Sequence, residues 1–488
     1  MTRARVTSLA RRAARCLAAT VVLACSESTA PPTADRIDVQ PGFLTVPVGG
    51  QVQLVARALN AAGDPASGVS VGYESDDTTV ASVTSTGLAT GVGPGTTSIL
   101  VSGGGASARV PVRVGGPPAT IDVSPALPSL RQDQTLQLTI TVRDSQGYAL
   151  TDAVVTYATS DASIVLASVT GVLTGVAGGT ASVTVSAPPA VRTVPVSVFG
   201  RPAGTSVTTV ALGERPYGVA VSPAGVVYVS RLDAAALSRT DLPATAFGAT
   251  ASVGNVPTDV AFDPTGTTAY VTNQLDAALG IVDVATNTQI GAIALNGNSF
   301  RVVVSPNGQR LYVTTNADNL LVIDRASRTI LLEYLLGGPG TGLAFHPNGV
   351  LLYGTTLSGL VYEINTATDS ARALQSVGGL QDITVSLDGV ELYIANEAGP
   401  MQIRAAATGT LITTVPAVAG AFDLALSPDG AHLYAGISGT GPVRVLDRAT
   451  RAVIGTFADI ADPRRIAFDR YGRTAVVADQ AGAVHFIR

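Results

Sequence analysis

The chain of 488 residues has no lysine and no tryptophan, and it has only three histidines and two cysteines. Without lysine there is no Schiff-base lysine, no phosphate-binding lysine of a Walker motif and no Ser-Lys dyad. Three histidines leave few side chains for general acid–base catalysis. We therefore expect a protein that is not an enzyme and that has neither a cofactor nor a metal site.

Residues 1–24 have the pattern of an export signal. Five arginines precede a short apolar run from Cys16 to Ala24, which ends in Val22-Leu23-Ala24-Cys25. This ending resembles the lipobox of bacterial lipoproteins, in which the cysteine is acylated and becomes the mature N-terminus. The resemblance implies lipidation of Cys25, and a multiply acylated cysteine anchors a protein stably to a membrane. An ordinary cleaved signal with a chance cysteine is the alternative.

These features predict an exported protein that is anchored to the membrane of the cell envelope by the lipid on Cys25. Ser26, which is not an aspartate, favours the outer membrane or the cell surface, and residues 25–35 form a polar tether. Loss of the signal leaves 25 arginines against 35 acidic residues, a formal charge of −10. This acidity argues against nucleic acid as a partner.

Residues 36–115 and 119–199 form a tandem duplication. Tyr73 matches Tyr157 and Gly91 matches Gly175, each at an offset of 84 residues. Both copies hold short runs of alternating Val, Thr, Leu and Ile that are broken by Gly, Pro, Asn and Asp. This alternation predicts two antiparallel β-sandwiches.

The C-terminal half of each copy resembles the bacterial Ig-like domains of group 2. The first copy carries VASV at 80–83 and GLATGVGPGT at 87–96, and the second carries ASV at 167–169 and GVLTGV at 171–176. The resemblance implies spacer or adhesion modules at a cell surface. We expect them to form a stalk that lifts the following domain away from the membrane.

Residues 204–488 contain seven copies of a strand–turn–strand phrase. The copies read VAVSPAGVVYV, VAFDPTGTTAYV, VVVSPNGQRLYV, LAFHPNGVLLYG, ITVSLDGVELYI, LALSPDGAHLYA and IAFDRYGRTAVV, and their turn glycines recur every 40 to 42 residues. A period near 40 with this content is typical of a β-propeller with one blade per repeat. The predicted fold class is therefore all-β, with two Ig-like β-sandwich domains followed by a seven-bladed β-propeller.

The repeats resemble the YVTN family of bacterial propellers, whose name is spelled by residues 270–273. Repeats five and seven depart from the pattern, because Leu387 and Arg470 replace the turn proline. The last repeat ends after three strands, whereas residues 207–213 resemble a fourth strand. We expect that segment to complete the last blade and close the ring.

The position just before each inner strand is expected to line the mouth of the central channel. In blade order it is Gly218, Asp259, Arg301, Gly342, Asp382, Asp423 and Arg465. The neighbouring carboxylates Asp382 and Asp423 would share a proton or hold a cation, and the two arginines would bind a carboxylate. The alternative is that Asp259–Arg301 and Asp423–Arg465 pair across blades. The three histidines, His346, His432 and His485, do not converge and are predicted to be surface or turn residues.

The favoured function is a surface-anchored, non-enzymatic binding or adhesion lipoprotein. Its stalk would present a propeller whose loop-rich face binds a protein or carbohydrate. One alternative is a propeller enzyme of the lactonase or hydrolase type, which similar seven-bladed propellers include. Another is a structural component of the envelope.

Overall fold

A computed structural model describes residues 31–376, 378–439 and 441–488 of the chain. The export signal and Cys25 predicted above lie outside these residues. The described part is all-β, as predicted, with two one-turn 3₁₀-helices at Gln274–Asp276 and Pro416–Val418. No helix within it is long and apolar enough to cross a bilayer.

The first sandwich has nine strands. They are β1 (Arg36–Gln40), β2 (Leu44–Pro47), β3 (Gln51–Gln53), β4 (Val55–Leu59), β5 (Gly72–Ser75), β6 (Ala81–Val83), β7 (Leu88–Gly91), β8 (Gly95–Gly103) and β9 (Ala106–Gly115). They form sheets in the orders β2-β9-β8-β5 and β3-β7-β6, and β1 pairs with β4. Every second residue of β9 from Val110 to Val114 is buried in the core, as the alternating sequence requires.

The second sandwich repeats this arrangement with nine further strands. They are β10 (Thr120–Ser124), β11 (Ser129–Arg131), β12 (Thr135–Gln137), β13 (Thr139–Arg143), β14 (Thr156–Thr159), β15 (Val165–Ala167), β16 (Val172–Gly175), β17 (Gly179–Ala187) and β18 (Ala190–Phe199). Their sheet orders are β11-β18-β17-β14, β12-β16-β15 and β10-β13. Gly171, at φ 79°, lies beneath the ring of Tyr157: a Cβ there would be 2.7 Å from the tyrosine Oη. The turn and the packed ring together require glycine at this position.

The remaining strands form seven four-stranded antiparallel sheets, which are the blades of the propeller. Blade 1 consists of β20 (Pro216–Val221), β21 (Val226–Arg231), β22 (Ala236–Asp241) and β23 (Ala249–Ser252). Blade 2 consists of β24 (Pro257–Phe262), β25 (Thr268–Asn273), β26 (Ala278–Asp283) and β27 (Thr288–Ala294). Blade 3 consists of β28 (Ser299–Val304), β29 (Arg310–Thr315), β30 (Asn319–Asp324) and β31 (Thr329–Leu335). Blade 4 consists of β32 (Gly340–Phe345), β33 (Leu351–Thr356), β34 (Leu360–Asn365) and β35 (Ser370–Ser376). Blade 5 consists of β36 (Leu380–Val385), β37 (Glu391–Asn396), β38 (Met401–Ala405) and β39 (Leu411–Val415). Blade 6 consists of β40 (Ala421–Leu426), β41 (His432–Ile437), β42 (Val443–Asp447) and β43 (Val453–Phe457).

Blade 7 joins the two ends of the propeller chain. Its strands β44 (Pro463–Phe468), β45 (Ala475–Asp479) and β46 (Ala483–Ile487) are completed by β19 (Val207–Ala211), in the order β19-β46-β45-β44. Val207 lies opposite Ile487 and Ala211 opposite Ala483 in an antiparallel ladder. The innermost strand β20 of blade 1 in turn contacts β44 of blade 7. The structure therefore has the predicted ring closure.

Tyrosines fill the spaces between blades. The second strand of each of the first six blades contributes one buried tyrosine; they are Tyr228, Tyr270, Tyr312, Tyr353, Tyr393 and Tyr434. Tyr228 stacks on Phe262 of the next blade with ring centroids 5.3 Å apart. The recurring tyrosine of the repeat thus serves core packing between neighbouring sheets.

The propeller turns of blades 6 and 7 contact the second sandwich. Arg201 bridges Asp133 of the sandwich, at 2.7 Å, and Asp429 of blade 6, at 2.6 Å. The N–H of Gly200 donates to the carbonyl oxygen of Tyr471 in blade 7 at 2.8 Å. These contacts occupy the end of the propeller that carries the turns between first and second strands, so the loops that follow each second and fourth strand lie at the opposite end.

Deleting residues 206–213 is expected to lower the melting temperature of the whole propeller cooperatively. The deletion removes every ladder hydrogen bond between β19 and β46 and opens the ring to an unpaired edge. Differential scanning calorimetry of the full chain measures the effect. Thr208→Ala is the control, because it changes an exposed side chain of the same strand and keeps the ladder. An unchanged propeller transition in the deletion variant would contradict the role of β19.

Candidate functional site

Each inner strand begins with an irregularity in its pairing with the second strand of its blade. The register shifts fall at 216–219, 257–259, 299–301, 340–343, 380–382, 421–423 and 463–465. Such bulges redirect the side chains beside them. The seven predicted channel positions all lie in or directly beside these irregularities, at the same level of the ring.

The structure brings the five charged candidates together in one buried network. The guanidinium of Arg301 in blade 3 lies 2.7 Å from Asp382 of blade 5, 3.5 Å from Asp259 of blade 2 and 3.9 Å from Asp423 of blade 6. Arg465 of blade 7 lies 2.9 Å from Asp423. Arg301 therefore reaches across the channel and links blades that are not neighbours in the ring.

The second oxygen of each carboxylate accepts a backbone N–H from the next blade. The pairs are Asp259 with Val302 at 3.0 Å, Asp382 with Leu424 at 3.1 Å, and Asp423 with Ile466 at 2.8 Å. Each aspartate thus ties its own inner strand to that of the following blade. The pairs Asp259–Arg301 and Asp423–Arg465 considered from the sequence both occur, and Arg301 lies closer to Asp382 than to Asp259.

Glycine occupies the remaining two channel positions because the next blade comes too close for a side chain. A Cβ at Gly218 would lie 2.9 Å from the Cα of Asp259, and one at Gly342 would lie 2.8 Å from the Cα of Asp382. In both cases the next blade carries an aspartate at its channel position, and the absence of a side chain on the glycine leaves room for the backbone of that aspartate.

Burial and mutual charge control the protonation of the network. Burial, followed by the charge of Asp382, raises the pKa of Asp423 to about 7, although Arg465 and Arg301 oppose this shift. Burial acts to lower the pKa of Arg301, but the charges of Asp382, Asp259 and Asp423 outweigh it and hold that pKa above its ordinary value. Arg301 consequently remains a cation, and Asp423 titrates near neutral pH.

An aromatic and arginine cluster, which the sequence analysis did not single out, adjoins the network. Tyr217 and Phe422 meet edge to face with centroids 6.1 Å apart, and the guanidinium carbon of Arg464 lies 4.7 Å from the centre of the Phe422 ring. The guanidinium carbon of Arg465 lies 5.2 Å from the same ring. Tyr217, Phe422 and Arg464 each immediately precede a channel position. The residue at that place varies among the seven blades, and this variation is the signal that could have identified them; in blade order it is Tyr217, Thr258, Phe300, Thr341, Gln381, Phe422 and Arg464.

Polar side chains on the inner strands and loops beside this cluster are held in hydrogen bonds. Gln381 donates to Glu397 at 2.6 Å, and Ser438 donates to the other oxygen of Glu397 at 2.8 Å. Arg464 contacts Asp462 at 3.1 Å. We call Tyr217, Gln381, Glu397, Phe422 and Arg464 the rim.

The prediction that His485 is a surface or turn residue is wrong. His485 is 2% exposed, and its Nε2 lies 3.0 Å from Asp479 while its Nδ1 lies 3.0 Å from the hydroxyl of Thr209. The ring is buried because β19 covers β46 and because Asp479 also accepts the N–H groups of residues 461 and 462 from the adjoining loop.

The other two histidines lie where the sequence placed them. His346 is a turn residue whose Nε2 lies 3.1 Å from the carbonyl oxygen of Gly389, and His432 begins β41. Within residues 31–376, 378–439 and 441–488, no three His, Cys, Asp or Glu side chains are grouped so as to hold a metal ion.

The fold defines an all-β protein that combines two Ig-like sandwiches with a seven-bladed propeller. Residues 33–110 and 119–191 match the family model of the bacterial Ig-like domain (group 2), a domain typical of extracellular and surface proteins. Hydrazine synthase of Kuenenia stuttgartiensis has a similar structure, with a TM-score of 0.53, 17% sequence identity, and coverage of 58% of this chain and 97% of that chain. At this identity the likeness shows the fold alone. No curated protein matches the chain.

Arg301→Gln is expected to lower the free energy of unfolding of the propeller by about 3–5 kcal/mol, because it leaves buried carboxylates without their counter-charge. Urea unfolding of the full chain measures this loss. Adding Asp382→Asn to Arg301→Gln should restore part of it, since Asp382 is the carboxylate that Arg301 contacts at 2.7 Å and that has no second arginine among the described residues. Arg328→Gln, at an exposed arginine, is the matched control. A loss below about 1 kcal/mol would contradict a central structural role.

The free energy of unfolding should contain a component that decreases as the pH rises from about 4 to about 7. Over this range folded Asp423, with its raised pKa, keeps a proton that the unfolded chain has released. Asp423→Asn removes this titration, so urea unfolding between about pH 5 and about pH 8 should show a smaller decrease in the variant than in the parent.

Asp263→Asn is the control for this pH dependence. Hydrogen bonds from Thr265, Thr268 and Thr267 outweigh burial and lower the pKa of Asp263. The contribution of Asp263 to the free energy of unfolding is therefore fully present above the pKa that it has in the unfolded chain, and it stays constant between about pH 5 and about pH 8. Identical pH profiles of Asp423→Asn and the parent would rule out the raised pKa.

Proposed function

We propose that the protein is a lipid-anchored, non-enzymatic binding protein of the cell surface. Acylated Cys25 attaches it to the envelope, the Ig-like sandwiches form its stalk, and the loop end of the propeller binds a protein or glycan. The outer membrane or cell surface is its location. The two matched Ig-like domains support the surface assignment.

The observation that carries the proposal is that the three channel carboxylates are all bonded to other groups of the propeller. Asp259, Asp382 and Asp423 each use one oxygen for an arginine and the other for a backbone N–H. A general base or a cation ligand needs a free lone pair that faces the substrate. These three carboxylates are at most 4% exposed and bond to neighbouring blades, which favours recognition by the rim over catalysis in the channel.

The rim has the composition of a recognition surface. Tyr217 and Arg464 are partly exposed and Glu397 is exposed, so the rim offers an aromatic ring, a guanidinium and a carboxylate to a partner. Phe422 and Gln381 are buried and support them: Phe422 contacts Tyr217 and Arg464, and Gln381 donates to Glu397. Such support suits preorganised binding. The second sandwich contacts turns at the other end of the propeller, so it leaves the rim uncovered.

Photo-cross-linking on intact cells tests the proposal. A photoreactive amino acid placed at Glu397 of the rim is expected to capture a defined protein or glycan, whereas one placed at Arg451, on a turn of blade 6, is not. The rim variant Arg464→Gln should reduce the captured amount at least tenfold while the propeller stays folded, which a cooperative melting transition of the variant checks. Equal capture from both positions, or undiminished capture by Arg464→Gln, would overturn binding through the rim.

Cys25→Ser supplies the matched control for the anchor in the same experiment. After loss of residues 1–24, a chain without the Cys25 thiol cannot carry the acyl chains that are proposed to hold it in the bilayer. The variant should therefore leave the membrane fraction and lose capture on intact cells, while capture from a solubilised extract persists. A variant that stays in the membrane fraction would overturn the anchoring role of Cys25.

A further inference from the structure

Blade 7 has a first turn unlike those of the other blades. Where the repeats usually carry Ser/Asp-Pro-x-Gly, this blade reads Asp469-Arg470-Tyr471-Gly472-Arg473. Arg470 and Arg473 are both exposed, and Tyr471 between them is half-buried. The blade thus gains two cations and an aromatic ring at a place where turn geometry alone requires neither.

This turn lines a cavity of about 220 Å³ between blades 7 and 1. Blade 1 contributes Pro223, Leu242 and Pro243, which form an apolar wall, and blade 7 contributes Arg470, Tyr471 and Arg473. A cavity of about 150 Å³ already accommodates benzene. The space therefore admits a ligand with one ring and a charged group.

The two arginines of the turn are available for an external anion. Neither forms an ion pair among the described residues, although most arginines of the propeller do. Their guanidinium carbons lie 5.5 Å and 5.9 Å from the centre of the Tyr471 ring. Asp469, the adjacent carboxylate, accepts the N–H of Thr474 at 2.7 Å and is engaged in the turn itself.

One further carboxylate lies near the site. Hydrogen bonds from Ser163 are the main cause of the lowered pKa of Asp161, and the charge of Arg473 contributes less. Asp161 and Arg473 form no ion pair among the described residues, so the guanidinium remains able to contact a ligand. The chain has a formal charge of −5, so acidic residues are in excess. Two arginines that have no ion pair among the described residues and that line one cavity therefore stand out from the rest of the propeller.

The second sandwich fixes the backbone of this turn. The carbonyl oxygen of Tyr471 accepts the N–H of Gly200 at 2.8 Å, and the Tyr471 ring lies 5.9 Å from that of Phe199. A Cβ at Gly472 would lie 2.1 Å from the carbonyl oxygen of Gly200, so the two backbones are in close contact. The tyrosine and the flanking arginines are therefore held in place before any ligand arrives.

We propose that this cavity binds a small organic anion, a phosphate monoester or carboxylate attached to a flat apolar group. Arg470 and Arg473 hold the anionic group through charge-assisted hydrogen bonds. The apolar group lies against Tyr471, Leu242 and the two prolines. The site is separate from the rim and independent of the function proposed there.

Isothermal titration calorimetry of the full chain with phenyl phosphate tests this site. One equivalent is expected to bind, at least tenfold more tightly than inorganic phosphate, which lacks the ring, and than benzyl alcohol, which lacks the charge. Added salt should weaken the binding. No saturable binding, or equal affinity for phenyl phosphate and either of the other two compounds, would overturn the proposal.

The double variant Arg470→Gln/Arg473→Gln locates the site. It should lose at least tenfold in affinity for phenyl phosphate and keep its melting temperature, because both side chains are exposed. Arg192→Gln, at an exposed arginine of the second sandwich, is the matched control and should bind as the parent does. Unchanged binding by the double variant would overturn the assignment to this cavity.

Discussion

The ionic network around Arg301 is the constraint on which the propeller depends. Blades of a propeller pack only against their neighbours, and the channel between them would otherwise be a water-filled gap. Arg301 crosses that gap to Asp382 and Asp423, and each aspartate also binds the backbone of the next blade. The cost of burying these charges is offset only when all members are present, so the network favours one closed arrangement of the blades.

This constraint separates structure from recognition in the ring. The charged channel residues, which the sequence singles out as candidates for a binding site, bond to other blades in the structure. The two binding sites that we propose use side chains whose identity the closed ring does not dictate, such as Tyr217 and Arg464 at the rim and Arg470 at the turn of blade 7. The rim and the first turn of blade 7 both lie where the residues of the seven repeats differ. A packing requirement shared by all blades would have kept the repeats alike.

Blade 7 departs from the common repeat in several places, and it has two sets of contacts that most blades lack. It is assembled from both ends of the propeller chain, and β19 covers β46 and buries His485 between Thr209 and Asp479. Its first turn also contacts the second sandwich through Tyr471. A blade with these additional partners follows the common repeat less closely than the others.

Periodicity alone determined the all-β class, the duplicated sandwiches, the seven blades and the closing strand, because turn and core requirements recur at fixed spacing in this chain. The same repeats placed five charged residues at one level of the ring. Only the tertiary structure decided what those charges do, since the reach of Arg301 from blade 3 to blades 5 and 6 depends on the channel's width and not on sequence distance. It also decided the burial of His485 and the cavity beside Arg470, because both arise where segments distant in sequence come together.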